Sequence, residues 1–133
     1  MASTPNVTYA PFDALAQLTS ASSTTVPTTV YTGPANGQST GGAKIGVFKA
    51  ISTDTAKSFN LNVYKTVSSV DYLIGVIQIG AASSAVSPTV VVILSLLWGS
   101  AMNMGPNTIL KVMPDVAPTS GKVINLQVEG ATF

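Results

Sequence analysis

The chain has no cysteine and no histidine among its 133 residues, and reading it through finds no arginine either. Without cysteine the fold rests on no disulfide, and thiolate-held zinc or iron–sulfur sites are excluded. Without histidine the chain lacks the commonest general base and the commonest metal ligand, and a Ser-His-Asp mechanism is impossible within it. Charge is scarce as well. Charged residues make up 8%, where a soluble domain carries about 25%, and the net charge is only +1. So little charge gives weak repulsion against association. The simplest physical reading is that part of the surface is covered in an assembly, and the alternative is a quiet, polar-neutral monomer.

In place of charge the chain has Ser, Thr, Asn and Gln, and a large apolar share, 46%. The most apolar stretch, Val70–Trp98, holds two runs, Tyr72–Ile79 and Val90–Trp98, separated by the small residues Gly80–Thr89. A membrane-spanning helix needs about 20 apolar residues. Val90–Trp98 falls short of that, and Ser83, Ser84, Ser87 and Pro88 block its extension backwards. Its β-branched start, Val90 to Ile93, favours strand. Both faces of each run are apolar, so the stretch is expected to form two covered strands at the middle of a sandwich. One face would meet the core, and the other a second layer or a neighbouring subunit.

The length suits one domain. Residues 1–13 read as an extended arm, because Pro5 and Pro11 oppose helix and Tyr9 and Phe12 are its only large side chains. A loose terminus is the competing reading. This opening has neither a basic n-region nor an apolar h-region, so no secretory signal is expected, and the sequon Asn6-Val7-Thr8 carries no weight without one. Residues 14–133 are expected to form a single β-sandwich. Ala14–Ser23 fits a strand or a helical turn. Strands are expected at Val26–Tyr31, Lys44–Ile51, Phe59–Tyr64, the two apolar runs, Ile109–Met113 and Lys122–Glu129. Phe59, Leu61 and Val63 alternate with Asn60, Asn62 and Tyr64, the pattern of a half-buried strand. Gly33–Gly42, Gly99–Asn107 and Pro114–Gly121 read as loops. Seven or eight such strands, with no amphipathic helix, indicate an all-β sandwich of jelly-roll type. The expected core is Ile45, Val47, Phe59, Leu61, Val63, Ile74, Val76, Val91, Ile93, Leu110, Val112, Ile124, Leu126 and Val128.

Chemical motifs are weak. In Gly37–Lys44 the glycines at 37 and 42 match a phosphate-binding loop, but Ala43 stands where the lysine belongs, Lys44 comes one residue late, and Ile45 follows it in place of the magnesium-holding hydroxyl. The five carboxylates, Asp13, Asp54, Asp71, Asp115 and Glu129, show no local pairing, although acid–base pairs also form between distant segments. Calcium loops need several carboxylates close together. A Ser–Lys pairing stays formally open. The six lysines, at 44, 49, 57, 65, 111 and 122, are dispersed, which disfavours nucleic acid. No catalytic residue, metal, cofactor, nucleic-acid or membrane site is therefore expected.

One resemblance has positive content. Val30-Tyr31-Thr32, the Asn36-Gly37 loop, the strand Lys44–Ala50, Leu61-Asn62-Val63-Tyr64 and the ending Val123–Phe133 follow one another in order. This order resembles small virion structural proteins of tailed bacteriophages, with a V-Y-T/N-G segment, an L-x-[IV]-Y strand and a terminal [IV]-N-[VL]-x-[AV]-x-G-x-x-[FY] strand. It covers residues 26–133. Where that family often has Asp-Gly after the L-x-[IV]-Y strand, Lys65-Thr66 stands here, and Ala131-Thr132 replaces an acid in the last turn. The resemblance implies a non-enzymatic β-sandwich that cements or decorates the outer capsid surface. It would bridge major capsid protein subunits as a homo-oligomer, a trimer among the options. A tail-fibre or baseplate-associated module for host recognition is the alternative. Tyr9, Phe12, Trp98 and Phe133 are the expected partner contacts.

Overall fold

The computed structural model describes residues 10–34, 42–84, 86–94 and 101–132. Nine strands lie among them: β1 (Ala10–Leu18), β2 (Thr28–Thr32), β3 (Ala43–Ser52), β4 (Phe59–Val67), β5 (Val70–Ile79), β6 (Thr89–Val92), β7 (Met102–Met104), β8 (Ile109–Pro114) and β9 (Ile124–Thr132). They form two antiparallel sheets. One has the order β1-β9-β3-β6, with β7 also pairing β3, and the other has the order β2-β8-β4-β5.

β6 and β7 share one edge of β3 and run in the same direction along it. Val92 lies opposite Lys49, and Met102 lies opposite Ile45. They are one strand line interrupted by an excursion. Counted as one, they leave eight strands in the orders 1-8-3-6 and 2-7-4-5, which is the jelly roll.

The core lies between the sheets and follows the alternation expected of half-buried strands. Phe59, Leu61 and Val63 on β4 face Ile124, Leu126 and Val128 on β9 through a layer with Ile45, Phe48, Leu110 and Val112, all buried. Two expected core residues are elsewhere. Val47 is only half-buried, and Phe48 takes the inward position. The cause is a bulge: Ile45 pairs with Gly130 and Val47 with Glu129, so Gly46 is an extra residue that flips the parity of β3. Val76 is 51% exposed. It lies opposite Asn62 on the outer face of β4, which leaves Ile77 and Ile79 to point inward. A second bulge, between Val63 and Tyr64, brings Ile74 against the core only in part.

The stretch expected at the middle of the sandwich forms its edge instead. β5 closes one sheet, β6 closes the other, and the two edges adjoin. Strand order decides this, and an apolar run cannot reveal strand order. The strand expected over Val90–Trp98 stops at Val92, while Ile93 and Leu94 remain buried. Of the expected arm, Ala10–Asp13 are the first residues of β1, paired along β9, and residues 1–9 lie outside the described residues. β7 falls in an expected loop and is too short for a periodic signal.

Candidate functional site

The sandwich has two poles. The strand ends joined by the β1–β2, β3–β4, β5–β6 and β8–β9 connections meet at one, and those joined by the β2–β3, β4–β5 and β7–β8 connections meet at the other, while β6 ends and β7 begins along the edge of β3, opposite Lys49 and Ile45. At the first pole Asp54 is completely buried. Its Oδ1 accepts from the backbone N–H of Ala56 (2.8 Å) and Lys57 (3.2 Å), and its Oδ2 accepts from that of Thr119 (2.8 Å). Its own carbonyl accepts from Ala82 N–H at 2.7 Å. Burial alone would raise the pKa of Asp54, but the N–H groups of Thr119, Ala56 and Lys57 outweigh it and hold the carboxyl below its ordinary value. Three connections are tied to this one residue, two through its side chain and the third through its carbonyl. Its donors are all backbone groups already committed, so the arrangement is structural.

At the second pole lies a depression of about 420 Å³, lined by Thr66, Ser68, Ser69, Asp71, Asn107, Ile109 and Lys111. It exists because β4 and β5 are joined by only two residues, Ser68 and Ser69, with Val67 opposite Val70. Both serines have positive φ, 50° and 65°, which gives a primed two-residue turn whose twist matches the strands. Asp71, just after the turn, accepts on Oδ1 from the Thr66 hydroxyl and from Lys111 Nζ (3.2 Å). The Thr66 hydroxyl, against a smaller opposing effect of burial and with help from Lys111, holds the Asp71 carboxyl below its ordinary value. Asn107 reaches the same depression from the β7–β8 connection, with φ 59°. Lys65 ties the sheets together nearby, donating to the Asn103 carbonyl on β7 at 2.9 Å.

A third feature is apolar. Leu73 and Val76 on β5 and Val90 and Val92 on β6 are each about half exposed or more, at 55%, 51%, 54% and 47%. Val90 and Val92 lie opposite Ile51 and Lys49 on the outer face of β3, and Leu73 lies opposite Tyr64 on the outer face of β4. No second layer covers these faces among the described residues.

Of the expected partner contacts, Tyr9, Trp98 and Phe133 lie outside the described residues, as does most of the Gly37–Lys44 motif. Phe12 is half-buried. Its ring stacks on Tyr31 of β2, with centroids 4.2 Å apart and an 8° interplanar angle, and closes the sandwich between β1 and β2. Gly130 lies beneath it, where a Cβ would run into the Lys44 carbonyl and the Phe12 ring.

The fold makes one carboxylate pairing the sequence left open. Asp13 and Glu129 are opposite each other on β1 and β9, and the Gln127 amide donates to both, at 3.5 and 2.8 Å. Among the described residues no three metal-ligating side chains gather, and no helix is long and apolar enough to cross a membrane. No family model, curated protein or solved structure matches the chain.

Sequence reading missed the Ser68-Ser69 turn. The signal was present as two small polar residues between Val67 and Val70, each followed or preceded by a strand-forming run. It was masked because neither residue is the Asn or Gly that such turns favour.

Proposed function

We propose that the protein is a non-enzymatic structural component of a virus particle, a cement or decoration protein that bridges neighbouring major capsid protein subunits on the outer surface. The observation carrying this reading is the apolar edge of the sandwich, Leu73, Val76, Val90 and Val92, exposed on a chain with so few charges. Isolated exposed apolar residues are ordinary, whereas these four gather as two pairs along adjoining edges of the two sheets, a concentration expected of a contact surface. The jelly roll supports the reading, since viral capsid domains use it, but lectins use it too and fold alone does not assign function. The ordered resemblance to phage virion proteins supports the particle context. Mechanistically the protein acts by burial: apolar area contributes about 25 cal/mol per Å², and symmetric copies on a shell add avidity.

The test is localisation and assembly. Particles purified from the source should contain the chain in a fixed ratio to the major capsid protein. The isolated protein should sediment as a homo-oligomer, and the pair Leu73→Lys and Val76→Lys should dissociate it without lowering its melting temperature. Absence from purified particles would sink the capsid assignment. A wild-type chain that sediments as a monomer would sink the oligomer. An arm truncation belongs at Tyr9, because Ala10, Pro11 and Phe12 are part of β1.

A further inference from the structure

We propose that the depression beside the β4–β5 turn binds a neutral, polyhydroxylated ligand, a single sugar unit of a glycan. The inference stands apart from the capsid assignment and rests on where the fold keeps unfavourable backbone. Three non-glycine residues have positive φ among the described residues, Ser68, Ser69 and Asn107, and all three line this one depression. Each is unfavourable relative to a residue suited to that region. A primed turn is most easily made by Asn-Gly. Two serines in its place give up stability and gain two hydroxyl groups at the rim.

The chemistry of the lining narrows the ligand. The Ser68 and Ser69 hydroxyls are exposed, and neither has a hydrogen-bond partner in the fold. Thr66 and Lys111 both bond the same oxygen of Asp71, Oδ1, which leaves Oδ2 able to accept. Lys111 Nζ carries three N–H donors, of which Asp71 engages one. One carboxylate and one ammonium cancel, so the site has no net charge. An anion would have to draw Lys111 away from Asp71. A cation would find a single carboxylate that already accepts two hydrogen bonds.

A ring of hydroxyls matches the set. It can donate to Asp71 Oδ2, accept from Lys111, and exchange hydrogen bonds with Ser68 and Ser69. Ile109 offers an apolar surface for the C–H face of the ring. The volume, about 420 Å³, lies within the usual range for small-molecule pockets.

The experiment is an amide-resonance titration of the isotope-labelled full chain. The probes are glucose, galactose, mannose and N-acetylglucosamine, with inorganic phosphate and calcium as charged controls. At least one sugar should shift the amides of Ser68, Ser69, Asp71 and Asn107, saturating at concentrations of about 1–10 mM. The pair Ser68→Gly and Ser69→Gly keeps the turn conformation and removes both hydroxyls. It should weaken that sugar about tenfold. Asp71→Ala should do the same. The proposal is overturned if no sugar moves these amides, if phosphate or calcium alone moves them, or if the glycine pair binds the sugar as tightly as the wild type.

Discussion

At one pole of the sandwich a carboxylate, Asp54, is enclosed by backbone N–H groups from two connections. At the other, Asp71 shares one oxygen between a hydroxyl and an ammonium and keeps much of its surface in water. Both carboxyls sit below their ordinary pKa, yet they do different things. Asp54 is buried out of a ligand's reach and holds three connections in register. Asp71 holds little together and keeps an acceptor available. The backbone differs in the same sense. Among the described residues the Asp54 pole has one positive φ, at Gly121, where it costs nothing, and the Asp71 pole places three on residues with side chains. A lowered carboxylate pKa therefore does not by itself mark a functional site. The useful distinction is whether the groups that lower it are backbone atoms of the fold or side chains at a rim.

The comparison is broken most severely at Asp54. Replacing it with Ala leaves the N–H groups of Ala56, Lys57 and Thr119 without the acceptor of three part-buried hydrogen bonds, and should cost about 2–3 kcal/mol of folding stability in denaturant titration. The same residue sets the response to acid. A folded pKa below the unfolded one gives stability that is present above the unfolded value and lost as pH falls through the folded value. Denaturant midpoints should thus be flat from neutrality down to about pH 4 and fall below that, and Asp54→Asn should reduce the slope of the fall. A slope unchanged in Asp54→Asn would place the acid sensitivity in other carboxylates.

A smaller effect of opposite sign is expected at the other pole. Changing Ser68-Ser69 to Asn-Gly should stabilise the protein by about 1–2 kcal/mol, by relieving unfavourable φ in the native turn. A loss of stability would mean that the serines support the fold. The smallest effect belongs to Asp71→Ala, which should leave the melting temperature nearly unchanged, because an exposed ion pair contributes little. A large drop would erase the contrast between the poles.

Much of the fold was legible because its strands obey simple periodicity. β4 and β9 alternate cleanly, and Phe59, Leu61, Val63, Ile124, Leu126 and Val128 are buried as that alternation requires. β5 and β6 were located but misplaced, since a run apolar on both faces has no internal sign of which face is inward or whether the strand is central. Val47 was misassigned by one inserted residue at Gly46, which an alternation count cannot detect. Of the candidate site, the Asp71 end was visible only as an isolated acid. Its partners, Thr66 and Lys111, come from β4 and β8, and their meeting depends on sheet order. Asp54, one more unpaired acid in the sequence, is a turn residue whose neighbours bury it.

The interrupted strand line along β3 has a consequence for how this chain can change. β6 and β7 each keep their own register on β3, while residues 93–101 supply more chain than a continuous strand would need. Loop-closure entropy grows only slowly with length. Neither pairing depends on how many residues separate the two pieces, so beyond the buried Ile93 and Leu94 this is where the chain can gain sequence without relocating a core side chain. A foreign peptide or a reporter domain inserted there should leave both sheets intact.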